Sequence, residues 1–184
     1  VARDRRSKKI VAFLIRNRSN LDRHLLRLIR YVQSFNRKVK LIRTDNELLK
    51  NDKIKDFLSN HPQGRIEVQS CIPYEHGQIG GIERSHRTLQ DCTVKALYRK
   101  QHLSSRYFGM AYLDSVFKYN TLPRKSLNYQ TPDFLWFGKV YDLLSTPFMP
   151  FGSIVMAHRP LEQQTALSGR AFVTYCVGCA PEHK

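Results

Sequence analysis

Acidic residues are scarce in this chain: 15 Asp plus Glu stand against 31 Lys plus Arg, leaving a formal net charge of +16. A deficit of that size favours polyanionic partners, because each phosphate neutralised by a basic side chain releases condensed counterions. Nucleic acid is the leading partner. An anionic membrane surface is set aside, since the basic residues are spread over almost the whole sequence and no single amphipathic segment collects them. Cysteine is scarce as well: Cys71, Cys92, Cys176 and Cys179 are too few and too scattered for the disulfide framework of a secreted domain of this length. Long apolar runs are missing. The run from Ile10 to Ile15 is far too short to span a bilayer, and the residues before it carry no signal-peptide cleavage pattern, which points to an intracellular protein. There is no internal repeat and no low-complexity tract. An initiator Met is also lacking, so the chain is expected to be a piece of a longer product.

What remains is ordinary globular material. With 184 residues and 41% hydrophobic content, the chain can build one domain with a sizeable core and a small appendage. Ile10 to Ile15 reads as a strand buried on both faces. A helix capped at Ser19 or Asn20 should follow, with Leu21, Leu25, Leu28, Ile29 and Val32 on one face. Val39, Leu41 and Ile42 make the next strand, closing at Asp45; the strand–helix–strand order predicts that these two strands run parallel. A second helix is expected over Leu48 to Leu58 and a brief strand at Ile66 to Val68. Ser70 to Gly81 contains Pro73, Gly77, Gly80 and Gly81 and reads as a loop that delivers Glu83 to the start of a helix ending near Lys100.

Beyond it, an aromatic-rich helix spans about Ser104 to Tyr119, its rings read as core, and Thr131-Pro132 opens a short helix halted by Gly138. Ile154 to Met156 and Phe172 to Tyr175 then read as two strands of a small β unit. The fold class is α/β, divided into a core over residues 1–145 and a β segment over 146–184. Cys176 and Cys179, with His183 nearby, have half of a zinc site's spacing but no second half; they read as strand or tail residues.

The chemistry concentrates in two acids. Asp45 closes Lys40-Leu41-Ile42-Arg43-Thr44-Asp45-Asn46, and Glu83 opens Ile82-Glu83-Arg84-Ser85-His86-Arg87-Thr88-Leu89. An acid at the end of a strand and another at the start of a basic helix are a way for a fold to pair distant carboxylates. Hard oxygen ligands of this kind suit Mg²⁺ or Mn²⁺. Structural readings compete: Glu83 in a first helical turn would suit the helix dipole and pair with Arg87 four residues on, and Asp45-Asn46 would cap the next helix. Arg84, Arg87, Lys95 and Arg99 are candidate phosphate contacts on the same helix, and His86, beside Glu83, is a candidate contact to nucleic acid.

These landmarks resemble the integrases of Ty/copia-type LTR retrotransposons, within the DDE integrase and transposase group. Arg43-Thr44-Asp45-Asn46 resembles the family's R-S-D-N, Pro73-Tyr74 with Gln78 and Gly80 resembles its P-Y-x-x-x-Q-x-G, and Ile82 to Leu89 resembles A-E-R-x-N-R-T-L. Leu122-Pro123, Thr131-Pro132, Leu135-Trp136-Phe137-Gly138 and Pro150-Phe151-Gly152 follow in the family's order, so the resemblance covers nearly the whole chain. It implies an RNase H-like core with a mixed sheet, a Mg²⁺ (or Mn²⁺) requirement, and Asp45 and Glu83 as the second and third acids of a metal-binding catalytic triad. The 37 residues between them agree with the family's spacing. Metal-activated cleavage near the element's 3′ ends and transfer of the exposed 3′-hydroxyl into target DNA are implied likewise. So are DNA, and secondarily RNA, as partners, a homo-oligomer in the intact protein, and action in the nucleus after a cytoplasmic particle stage.

The chain departs from the pattern in several places. The family's first Asp lies upstream of the strand that begins near Ile10, and Asp4 resembles a non-ligand turn residue instead. Glu47-Leu48-Leu49-Lys50 replaces G-G-E-F, Glu75 to Ile79 replaces T-P-Q-Q-N, and His86 replaces Asn. The integrases' zinc-binding N-terminal region has no counterpart. A truncated or host-adopted remnant that binds nucleic acid or partners without chemistry is the alternative.

Overall fold

A carboxylate folds the first turn. Asp4 accepts hydrogen bonds from the Ser7 N–H and hydroxyl, both at 2.7 Å, and Lys8 adopts φ 61°, so the chain doubles back. Strand β1 (Ala2–Arg3) thereby pairs antiparallel with β2 (Ile10–Val11), with Arg3 opposite Ile10. The computed structural model describes residues 1–15, 21–44, 52–61, 64–70, 76–99, 103–139, 148–165 and 169–178, with the side chains of Asp22, Lys53 and 76–79 left aside. It divides into two compact units, Phe13–Ser85, and Val1–Ala12 with His86–Lys184.

The continuous unit follows from amphipathic spacing. In helix α1 (Leu21–Gln33), Leu25 and Ile29 recur four residues apart and are buried with Ile54 and Leu58 of α2 (Asp52–Ser59) and with Ile66. Strands β3 (Leu41–Thr44) and β4 (Glu67–Ser70) run parallel, in register from Leu41 opposite Glu67 to Thr44 opposite Ser70. Ile42 and Val68, opposite one another, pack on the same core. The parallel crossover is therefore β3–α2–β4, one unit later than expected, because β2 finds its partner in β1. The apolar run after Ile10 also forms less strand than its composition suggests: Ile10 is buried, whereas Leu14 and Ile15 are exposed beyond the end of β2.

The discontinuous unit is built on the part of helix α3 (His76–Tyr98) from His86 onward, on helix α4 (Phe108–Thr121), which follows a 3₁₀ turn over Ser105–Tyr107, and on the short α5 (Pro132–Phe137). Its core joins Ile10, Leu89, Tyr112, Val116 and Tyr119. Along the seam of α3 and α4 the buried Thr93 hydroxyl lies 3.3 Å from that of Ser115, and each donates back to the carbonyl four residues earlier, so both polar groups are satisfied in small side chains. Asn120 clasps the free edge of β2: its Oδ1 accepts from the Ile10 N–H at 2.9 Å and its Nδ2 donates to the Ile10 carbonyl at 2.8 Å. Buried Lys9 ion-pairs with Asp133 at the start of α5, and its ammonium lies 4.5 Å from the Phe137 ring centroid. Helix α5 has the ends its sequence dictates: Thr131 Oγ1 accepts from the Phe134 N–H, Pro132 occupies the first turn, and Gly138 closes the helix at φ 72°.

Strands β5 (Ile154–His158) and β6 (Ala171–Tyr175) form an antiparallel pair with Ile154 opposite Tyr175 and Met156 opposite Val173. All four of those side chains lie on one exposed face. The described chain is α/β, with parallel and antiparallel pairs in three two-stranded sheets. No helix among the described residues is long and apolar enough to cross a membrane. The expected division at residue 146 falls within 140–147, outside the described residues.

Candidate functional site

The segment expected to be a loop as far as Gly81 is helical from His76 onward, so α3 runs through Gly77, Gly80 and Gly81. None of these three has positive φ, and a Cβ at Gly80 would meet nothing within 4 Å. Glycine there is a helix residue carrying a propensity cost of about 1 kcal/mol relative to Ala, not a hinge demanded by geometry. The consequence for Glu83 is direct. It sits two turns inside α3, beyond the reach of the N-terminal dipole that a first-turn position would feel. Its carboxylate is exposed, and it forms no ion pair with Arg87 or with any other described residue. Both structural explanations for an acid at this position therefore fall away.

Asp45 lies outside the described residues, as does its relation to Glu83. The described chain reaches Thr44, the last residue of β3 and thus its C-terminal end. Among the described residues no group of three or more His, Cys, Asp or Glu gathers tightly enough to hold a metal ion. The donor type nevertheless suits Mg²⁺, because Glu83 offers hard oxygens that no described cation occupies.

Around Glu83 the helix is strongly basic. Arg84, Arg87, Lys95 and Arg99 are all exposed, and the Arg84 Nε donates to the Gly80 carbonyl at 3.0 Å, laying that side chain along the preceding turn. His86 is half-buried and tilted against Tyr112, ring centroids 5.7 Å apart, so its position is set by packing on α4. Phe108 stacks on Tyr112 at 6.4 Å. Tyr112 is itself buried, its hydroxyl is without a hydrogen-bond partner, and that burial raises its pKa above the ordinary phenol range. Part of the aromatic helix is core, as expected; Tyr107 and Phe108 at its start are exposed.

No protein-family model matches the chain, and no curated protein does. What can be said of its chemistry rests on the residues themselves.

Two features escaped the sequence reading. Arg124 lays its guanidinium 3.2 Å from the centroid of the Tyr119 ring, with Nε donating to the Tyr119 carbonyl at 3.4 Å. Burial lowers its pKa and nearby Arg3 pushes it the same way, while Tyr119 and Cys92 oppose them. Buried Lys9 is likewise pushed below the ordinary lysine value by desolvation, with Asp133 opposing. Lys9 and Asp133 stand 124 positions apart and leave no local signal, whereas Arg124 and Tyr119 are five apart but lie across the end of α4, where helical spacing no longer applies. Of the zinc-like cysteine pair, Cys176 is a half-buried free thiol; Cys179 and His183 lie outside the described residues.

Proposed function

We propose that this chain is part of the catalytic core of a Ty/copia-type integrase with an RNase H-like fold, and that it binds nucleic acid and contributes Asp45 and Glu83 to a site for Mg²⁺ or Mn²⁺. The observation that carries the proposal is the state of Glu83: an exposed carboxylate without an ion pair among the described residues, on a helix otherwise crowded with exposed Arg and Lys. A carboxylate left unneutralised in such surroundings fits a ligand for a cation. The parallel β3–α2–β4 unit supports the partner acid, since Asp45 directly follows the C-terminal residue of β3.

When bound, the metal would supply Lewis-acid activation of an oxygen nucleophile and absorb charge on the leaving oxygen. The chain's own residues do the rest. Glu83 and Asp45 supply hard oxygen ligands, and a third carboxylate completes the set in the intact enzyme. Arg84, Arg87, Lys95 and Arg99 draw the DNA backbone along α3, and His86, fixed by Tyr112, faces a narrower choice of positions than the arginines around it.

Strand transfer from a 3′-hydroxyl oligonucleotide in Mg²⁺, measured for the intact polypeptide and for its Asp45→Asn and Glu83→Gln variants, tests the reading. Both substitutions should abolish transfer while leaving DNA affinity within a few-fold. Equal activity in all three proteins would overturn the catalytic assignment. DNA binding with no transfer in any of them would identify a remnant that retains the nucleic-acid function alone.

A further inference from the structure

The β5–β6 ladder runs one step past its last strand residues and ends on two like charges. The Arg159 N–H donates to the Arg170 carbonyl at 2.8 Å, next to the pair of His158 and Ala171, so the two arginines stand directly opposite one another. Opposite residues that share such a bond have Cα atoms about 5.5 Å apart and project from one face of the hairpin. Like charges in that position repel. No acidic side chain among the described residues pairs with either guanidinium, and Glu162, close by in sequence, is exposed and makes no ion pair with them. The Arg159 Nε is in addition buried with no hydrogen-bond partner. A group supplying both acceptor oxygens and negative charge would offset the repulsion and satisfy the donor together.

The hairpin holds Arg159 in place before any ligand arrives. Its carbonyl accepts from the Gln164 side-chain amide at 2.6 Å, which ties the 3₁₀ turn over Leu161–Gln163 to the strand end. Its guanidinium carbon lies 5.6 Å from the centroid of the Phe172 ring, the diagonal neighbour of Arg159 across the ladder. Backbone and side chain are therefore both anchored. Arg170, by contrast, is exposed, and its long side chain can reach a ligand seated on the anchored partner. A planar guanidinium fork suits phosphate, whose oxygens point in several directions and can meet two forks at once; a carboxylate offers two oxygens in a single plane.

We infer that Arg159 and Arg170 together form a binding site for a single phosphate group at the turn end of the β5–β6 pair. The phosphate comes either from a nucleic-acid backbone or from a free phosphate compound. The inference adds a site outside α3 to the nucleic-acid reading without depending on the metal-ligand acids.

Two measurements on the full chain separate these sources: salt-dependent binding to a labelled duplex DNA, and the thermal midpoint in about 20 mM inorganic phosphate against chloride at matched ionic strength. Arg159→Gln, Arg170→Gln and the double variant are compared with the wild type; Arg170 is exposed, so Arg170→Gln carries the comparison alone if Arg159→Gln does not fold. For a backbone phosphate, each single variant weakens DNA binding, and the double variant lowers the slope of log K against log salt by about 0.9. The affinity lost between about 50 and 200 mM salt then shrinks by about 3.5-fold. A double variant whose slope falls by about 1.8 would show two independent contacts and overturn the shared site. For a free phosphate compound, the slopes are unchanged, phosphate raises the wild-type midpoint by about 2 °C or more, and each variant loses that rise. This second arm also decides the matter if the wild type binds no DNA, a result that would sink the nucleic-acid reading alone. Variants indistinguishable from wild type in both measurements, or an effect confined to one of the two arginines, would overturn the inference.

Discussion

Replacing Asn120 tests how the unit made of two chain segments is held together. Its amide satisfies both backbone groups of Ile10 across 110 positions of sequence, and both residues are buried, Asn120 5% and Ile10 1% exposed. Asn120→Ala leaves one donor and one acceptor with no partner, and each such loss costs about 1–3 kcal/mol. A total near 3 kcal/mol should lower the thermal midpoint by about 6–12 °C for a chain of this size, and should lower the urea midpoint with little change in slope. Asn120→Asp sharpens the test. An ionised carboxylate still accepts from the Ile10 N–H but faces the Ile10 carbonyl with another oxygen, whereas the protonated acid restores the donor. The folded-state pKa of the new acid is therefore raised above its unfolded value of about 3.9. The stability this donor contributes is present below that value and lost as pH rises through the folded one. Urea melts of both variants between about pH 4 and pH 7 provide the readout. An alanine variant weakened by less than about 1 kcal/mol, or an aspartate variant with no added pH dependence, would refute the clasp as a main tie.

Other substitutions probe separate parts of the fold. Lys9→Met strands the Asp133 carboxylate and should cost about 3–5 kcal/mol at neutral pH, with Lys9→Met/Asp133→Asn recovering much of it in the same urea melts. Because burial holds the folded pKa of Lys9 below 10.5, the unfolded chain binds more protons between the two values, so this group makes stability rise with pH across that alkaline window. The wild type should show that rise relative to Lys9→Met. Gly178→Ala forces φ +118° on a residue with a Cβ and sets that carbon 3.3 Å from the Asp114 Cβ, for a loss of about 1–3 kcal/mol by chemical denaturation. Thr131→Ala removes the cap of α5 at a cost of about 1 kcal/mol, most of which Thr131→Ser should restore.

Elements whose signals are local were legible from sequence. Helix α5 carries its cap, its first-turn proline and its closing glycine within eight positions, and all three take their expected places. Helix α1 and the β5–β6 pair likewise follow from helical spacing and β-branched runs. The reading went astray where partners decide. Gly77, Gly80 and Gly81 suggest a loop by propensity, yet they fall within a 23-residue helix whose later turns carry Leu89 and Thr93, both buried, and that packing outweighs a few kcal/mol of local cost. The strand at Ile10 pairs antiparallel with a two-residue strand too short to carry any hydrophobic period. For the candidate site, exposure of Glu83 and of the four basic residues was readable from helical position. That Glu83 forms no ion pair with Arg87 was not, since spacing permits such a pair without requiring it.

The division of the chain into an uninterrupted unit and one closed by distant segments carries a consequence for biosynthesis. Phe13–Ser85 has every residue of its unit by the time Ser85 is made, so it can collapse while the ribosome is still translating. Ile10 has no such option: it must wait for Asn120 to emerge, with its apolar side chain solvated or held by a chaperone in the interval. Slowed translation between these points should prolong that vulnerable intermediate, and a ribosome-stalled chain ending just before Asn120 should be cut by protease within Val1–Ala12 sooner than within the finished neighbouring unit.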